Sequence, residues 1–234
     1  MEFAGLFVAA YLVGAIPFGV LVARAKGIDI MKAGSGNIGA TNVFRTLGVG
    51  PGLLVFILDA AKGWLPVFVA MELLGDPFMA FLVGVGAFVG HCYSPYLRFR
   101  GGKGVATALG ALIGVSPVCA GVALLVFSLA LALTRYVSVS SITATGSVLA
   151  CSFALPLPNE LRASFGALFL FIVVKHRSNI MRLMQGTEPK IGRSSGVAAS
   201  EDAKHNHRTS VSDSVSSVAS ADVEGVAPSS ETKG

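Results

Sequence analysis

FAGLFVAAYLVGAIPFGVLVA, residues Phe3–Ala23, contains no charged side chain. As a helix rising about 1.5 Å per residue it matches a hydrocarbon core of roughly 30 Å. A secretory signal would carry Lys or Arg ahead of a shorter apolar core, and this stretch has neither property. It reads as a retained membrane span. Further apolar stretches follow at approximately 49–71, 78–97, 105–115, 118–134, 137–155 and 161–174. Val105–Leu133 is too long for one crossing, and Ser116-Pro117 supplies a break, because proline disfavours helix in the residue before it. The stretches 105–115 and 161–174 are short enough for re-entrant segments. Composition agrees with lipid as solvent: 53% of the 234 residues are hydrophobic and 13% charged, against about 25% charged in soluble domains. The expected fold is an all-α polytopic membrane protein of about seven transmembrane helices.

The cations supply an independent check, because Lys and Arg near span ends stay on the cytoplasmic side. Alternating sides from an external N-terminus places Arg24, Lys26, Lys32, Arg45, Arg98, Arg100, Lys103, Arg135, Lys175, Arg177, Arg182 and Lys190 on one face. The opposite face receives only Arg162, beside Glu2, Glu72, Asp76 and Glu160. The loops that carry these cations are expected to face the cytoplasm. After residue 192 the chain is rich in Ser, Ala, Val and Gly and lacks aromatic residues. Such a segment cannot bury enough apolar surface to offset its ordering entropy. Residues 1–192 are expected to form the membrane domain and residues 193–234 a disordered cytoplasmic tail. Cys92, Cys119 and Cys151 are odd in number and widely spaced, which suggests small core residues rather than disulfides or a zinc site.

Three polar stretches share the cationic face. The first is AGSGNIGATNVFR, Ala33–Arg45. Its G-x-G-x-x-G lacks the strand of a dinucleotide fold, but its glycines allow backbone N–H groups to converge on an anion. Ser35, Thr41 and Asn42 add donors, and Arg45 adds a planar fork suited to phosphate. The second is RFRGGKGVAT, Arg98–Thr107, where Leu97 and Gly104 stand in place of the Gly and Ser or Thr of a P-loop. Glycines flanking Lys103 at the start of a new helix still suit an anion. The third is KHRSNIMRLMQGTEPK, Lys175–Lys190. If helix continues there, His176 and Asn179 lie one turn apart, and His176 is the best-placed base. His91, ending its span, reads as a structural cap. Asp59 and Lys62, i and i+3 inside a span, read as a structural ion pair, since charge at that depth is costly unless paired. No carboxylate, Cys or His cluster suggests a metal, and two phosphate-bearing substrates would account for three anion-suited loops.

The motifs Ser35–Asn42 with Arg45, Arg100–Gly104, and His176–Arg182 with Gly186 and Glu188 together resemble the bacterial acyl-phosphate-dependent glycerol-3-phosphate acyltransferases. The similarity spans about residues 1–192, with the motifs in family order; Arg100 stands where a lysine is common, and Tyr93-Ser94-Pro95 is less typical. The resemblance implies transfer of an acyl chain from acyl phosphate to the 1-hydroxyl of glycerol 3-phosphate, giving lysophosphatidic acid and inorganic phosphate. It implies a catalytic set of His176, Asn179 and Ser35. Arg45, Lys103, Gly101, Gly102, Gly104, Asn37, Thr41 and Ser141 would bind substrate or its phosphates, and Glu188 would brace the loops. No cofactor is needed, because a mixed anhydride is already activated. The proton acceptor is either His176 or a substrate phosphate oxygen. The lipid bilayer is the expected surrounding, and no nucleic-acid partner is expected. The competing class is a transporter of a phosphorylated solute lined by Asp59 and Lys62, although the glycine motifs sit at one face rather than at the midplane. A thioester-using acyltransferase of the His-x4-Asp type is disfavoured, because neither His91 nor His176 has Asp five positions on.

Overall fold

The computed structural model describes residues 1–192; the expected tail of residues 193–234 lies outside them. Those described residues are helical, with no strand among them: α1 (Glu2–Gly14), α2 (Phe18–Arg24), α3 (Ala40–Leu47), α4 (Val49–Leu74), α5 (Pro77–Cys92), α6 (Val105–Val115), α7 (Pro117–Thr134), α8 (Val137–Ser152), α9 (Asn159–Lys175) and α10 (Arg177–Met184). Glu2–Arg24, Val49–Leu74, Pro77–Leu97 and Pro117–Thr134 are long and apolar enough to cross a membrane, whereas Val105–Val115 and Val137–Ser152 are shorter apolar helices. At 11 residues, α6 rises only about 16 Å and reaches roughly half the depth of a hydrocarbon core.

Local chemistry sets the helix ends. The first span is interrupted rather than continuous, because Pro17 has no N–H to bond back into the preceding turn; α1 stops at Gly14 and α2 resumes at Phe18. The break expected at Ser116-Pro117 is present, with Ser116 Oγ accepting from Cys119 N at 3.4 Å and Pro117 opening α7. Asp76 caps α5 in the same way, accepting from Phe78 N at 2.8 Å and Met79 N at 3.0 Å.

Where α1, α4, α5 and α6 meet, the interior is built from small residues, as expected where apolar surface gains little by leaving lipid. Ala10, Ala70, Ala80, Ala87 and Ala111 are buried with Val67 and Val83. A Cβ on Gly63 would collide with the backbone of Thr107, and one on Gly110 with the carbonyl of Ala60, so α6 seats directly on α4. Large side chains are divided: Phe81, Leu161 and Phe165 are buried in a second cluster, while Leu53, Leu65, Leu129 and Leu170 are exposed. Cys92 and Cys119 are buried and Cys151 partly so, all with free thiols.

Candidate active site

Asn42 organises the first polar loop. It is buried; its Nδ2 lies 2.9 Å from the carbonyls of Ala33 and Asn37 and 3.2 Å from that of Ile30, and its Oδ1 accepts from Ser35 N at 2.9 Å. The sequence suggested Asn42 as an anion donor; the structure turns its amide inward, where it holds the loop's own backbone. Gly34 takes φ +57° against this amide, and a Cβ there would strike Asn42 Oδ1. Ser35 is exposed at the loop surface, Asn37 Oδ1 accepts from Gly39 N at 2.8 Å, and Thr41 is half-buried in the first turn of α3. The same helix carries Arg45, whose Nη2 donates to Pro189 O at 3.0 Å while its buried Nε has no partner.

A second group of bonds draws the other two stretches together. Lys103 Nζ donates to Asn179 Oδ1. Asn179 Nδ2 donates to Glu188 Oε1 at 2.6 Å, Ser138 Oγ to the same oxygen at 2.8 Å, and Arg182 Nε to Glu188 Oε2 at 2.8 Å. Helix does not run unbroken past the membrane edge: His176 is the joint between α9 and α10, at φ −94° and ψ 6°. That bridge conformation recurs at active sites. His176 is buried, and its Nδ1 lies 2.8 Å from the carbonyl of Ile172, a contact that leaves Nε2 as the acceptor of a neutral ring. α6 begins directly after Lys103 with Gly104 at its N-terminus and no side-chain cap, so its first N–H groups remain open to an anion.

The electrostatics favour a phosphate. Around Lys103 stand Arg45, Lys175 and Arg182, opposed only by Glu188. Burial, reinforced by these cations, pushes Lys103 down to about 8. Burial and then Lys103 push His176 down to about 4, so its ring is neutral at physiological pH. Burial alone would raise Glu188, but its bonds from Asn179, Ser138 and Arg182 hold it below the ordinary carboxylate value. An arriving dianion would relieve the crowding of positive charge.

Below this polar layer lies a cavity of about 290 Å³ among α4, α6, α7, α8 and α9, lined by Val105, Leu112, Phe127, Val148, Phe165 and Ile172 among others. Two of its residues adjoin the polar groups: Val105 follows Gly104, and Ile172 supplies the carbonyl that holds His176.

The structure brings together Arg45, Lys103, His176, Asn179 and Glu188. Gly101, Gly102 and Gly104 shape the turn that presents Lys103, lying against His91, Cys92 and Phe88. Ser35 and Asn37 lie on the loop leading into Arg45's helix and Thr41 in that helix's first turn, and no hydrogen bond joins them to the Lys103 cluster among the described residues. Ser141 is buried, with its hydroxyl donated to Val137 O at 2.8 Å. Asp59 and Lys62 sit apart, inside the bundle, 2.7 Å from each other. Sequence reasoning missed Ser138 and Arg182. Arg182 was within reach, because extending the His176–Asn179 spacing by one more turn arrives at it; Ser138 lies among similar serines that bond their own helix.

These features define a polytopic helical membrane protein whose polar loops build a cationic site at the edge of an apolar cavity. The family model for glycerol-3-phosphate acyltransferase matches residues 4–186. A glycerol-3-phosphate acyltransferase of Geotalea daltonii is 46% identical over 183 residues, covering 78% of this chain and 94% of its own. One from Thermus thermophilus is 47% identical over 186 residues, covering 78% and 92%. The crystal structure of PlsY (YgiH), an integral membrane glycerol 3-phosphate acyltransferase, superposes in its glycerol 3-phosphate form with a TM-score of 0.79 at 41% identity, over 82% of this chain and 96% of that one. Its lysophosphatidic acid form gives 0.77. The chain belongs to the glycerol-3-phosphate acyltransferase family.

Proposed function

We propose that this enzyme transfers an acyl group from acyl phosphate to the 1-hydroxyl of glycerol 3-phosphate, yielding lysophosphatidic acid and inorganic phosphate at the cytoplasmic face of a bacterial inner membrane. The observation that carries the reading is the junction of a cationic cradle (Arg45, Lys103, Arg182) with an apolar cavity at Val105 and Ile172. An acyl phosphate has those two halves, and its mixed anhydride is spent at the boundary between them. The relative's crystal forms, named for glycerol 3-phosphate and lysophosphatidic acid, correspond to the acceptor and the acylated product.

In this reading Arg45, Lys103 and the open N-terminus of α6 hold phosphate oxygens, and the loop of Ser35, Asn37 and Thr41 closes over them. The acceptor oxygen attacks the acyl carbon, a C–O bond forms, and the C–O bond to phosphate breaks. Cations compensate the charge that collects on the departing phosphate. The hydroxyl proton passes to His176 Nε2 or to a phosphate oxygen; Asn179, tied to both Lys103 and Glu188, keeps the cradle in register with the joint at His176. Positioning of two bound substrates supplies much of the rate. Residues 1–192 suffice for the chemistry, the bundle crosses the membrane about seven times, and residues 193–234 form an appendage dispensable for turnover.

Detergent-purified protein supplied with acyl phosphate, with and without glycerol 3-phosphate, tests the proposal by following lysophosphatidic acid and phosphate release. Product that requires both substrates and is not supported by acyl-CoA is the expected result. No product from folded protein across several acyl lengths would overturn it. A His176→Ala variant with near-normal kcat would assign the proton to phosphate.

A further inference from the structure

Asp59, Lys62 and His91 form a charged cluster in the bundle interior that the acyl-transfer reading does not use. All three are nearly inaccessible, at 2%, 3% and 4% exposure. Lys62 Nζ lies 2.7 Å from Asp59 Oδ1 and donates at 2.8 Å to the carbonyl of Ile16, which also accepts from Phe18 N at 3.1 Å. His91 Nδ1 faces Asp59 Oδ1 at 3.6 Å, and Nδ1 has no hydrogen-bond partner among the described residues. His91 is therefore not the helix cap expected from sequence: its ring turns inward to the carboxylate. The far side of the same residue meets the second polar loop. Gly102 N donates to His91 O at 3.1 Å, and the three atoms nearest to a Cβ built on Gly102 are Nε2, Cδ2 and Cε1 of the His91 ring. The ring stands between the intramembrane ion pair and the turn that carries Lys103.

We infer that Asp59 and Lys62 anchor a positioning relay: the pair orients the His91 ring, and the ring sets the place of the Gly101–Gly104 turn and so of the Lys103 ammonium. This explains why charge is kept at a depth where it is costly. It also explains the glycine at 102, where backbone and imidazole touch. The inference rests on the proposed reaction in taking Lys103 as a phosphate ligand, and its test includes a readout that needs no turnover.

The two glycines make the test specific. A Cβ at Gly101 would strike the backbone of His91 and Cys92, which no side-chain change can clear, whereas the atoms nearest a Cβ at Gly102 belong to the ring. His91→Asn keeps a polar group for Asp59 while removing the Nε2 end. Gly102→Ala, His91→Asn, the double variant, Gly101→Ala with and without His91→Asn, and Asp59→Asn are compared by KM for glycerol 3-phosphate, by kcat, and by calorimetric Kd for inorganic phosphate. Gly102→Ala is expected to raise KM and Kd about tenfold or more, since displacements of about 1 Å are enough to cost on the order of a hundredfold. Adding His91→Asn returns both constants to those of His91→Asn alone, Gly101→Ala gains nothing from it, and Asp59→Asn weakens phosphate binding more than it lowers kcat. An unaffected Gly102→Ala, a folded double variant no better than Gly102→Ala, or an Asp59→Asn protein with native Kd overturns the relay. Failure of the wild-type protein to turn over while it still binds phosphate would overturn the acyl-transfer reading and leave the relay to be judged on Kd.

Discussion

Glu188 receives three bonds on two oxygens, and the difference between removing its charge and removing its side chain follows from their arrangement. In Glu188→Gln the amide oxygen can stay where Oε1 is, keeping Ser138 and Asn179 at their 2.8 and 2.6 Å contacts. The new NH2 then faces Arg182 Nε, which lost its acceptor at 2.8 Å. A bond to a charged group contributes about 1.5–3 kcal/mol; Arg182 is 35% exposed and can turn to water, so the lower end of that range applies. In Glu188→Ala all three bonds go. Ser138, the second residue of α8, has no carbonyl of that helix one turn behind it, unlike Ser140 and Ser141, which donate to Tyr136 O and Val137 O at 2.9 and 2.8 Å. Its hydroxyl and the buried Asn179 amide are both stranded, and each stranded donor costs about 1–3 kcal/mol beyond the lost bond. Glu188→Ala should therefore lose about 3–5 kcal/mol and Glu188→Gln about 1.5 kcal/mol. Equilibrium unfolding in mixed detergent, paired with initial rates of lysophosphatidic acid formation, reads both. Equal losses in the two variants, or an unaffected Glu188→Ala, would refute the reasoning.

The pH profile of kcat/KM should fall on the basic side near pH 8, where Lys103 loses its proton, and hold on the acid side to well below 6.5, since His176 is pushed to about 4. Stability has the opposite sign: unfolded Lys103 and His176 regain their ordinary values of 10.5 and 6.5, so the unfolded chain binds more protons and stability rises with pH between about 8 and 10.5 and between about 4 and 6.5. Thermal melts across both windows check this, and a flat profile would contradict the burial of these groups. Arg45→Lys keeps charge but loses the fork whose Nε awaits a partner, so KM for a phosphorylated substrate should rise about ten- to a hundredfold; an unchanged KM would remove Arg45 from the site. Ala144→Phe places a ring in the apolar cavity and should shift preference toward shorter acyl phosphates, read from competing chain lengths.

Much of the fold was legible because the bilayer constrains length and charge together. The charge-free run Phe3–Ala23 and the break at Ser116-Pro117 both speak through local rules; the cap at Asp76 obeys such a rule too but was not read from the sequence. What escaped depends on orientation. Nothing in the sequence says that Asn42 turns its amide into its own loop, or that His91 turns away from the helix end toward Asp59; each choice is made by groups far along the chain, Ile30 and Ala33 for one and Asp59 for the other. Ser138 could not be told from Ser140 and Ser141, because only its place relative to Glu188 distinguishes it. Arg45, Lys103, His176, Asn179 and Glu188 were legible because lipid disfavours polar and charged side chains, whereas Gly101, Gly102 and Gly104 stood out only by clustering around Lys103.

Positive charge is crowded in the cradle. Lys103 is bound to Asn179 yet pushed down by burial and by Arg45, Arg182 and Lys175, and Arg45 keeps a buried Nε unpaired. An unpaired buried donor costs about 1–3 kcal/mol, and crowded cations add to that. A phosphate relieves both at once, so its binding should be strong for so small a ligand and should draw a proton onto Lys103 at pH values near 8. In the proposed reaction the leaving phosphate would carry away the charge that relieved the site, while a lysophosphatidic product would keep its own phosphate and gain an apolar chain for the cavity. A site that receives substrate in this way would hold product as well, which predicts that product departure into the bilayer is the slow step, read as a burst of product in the first turnover; absence of a burst would refute it.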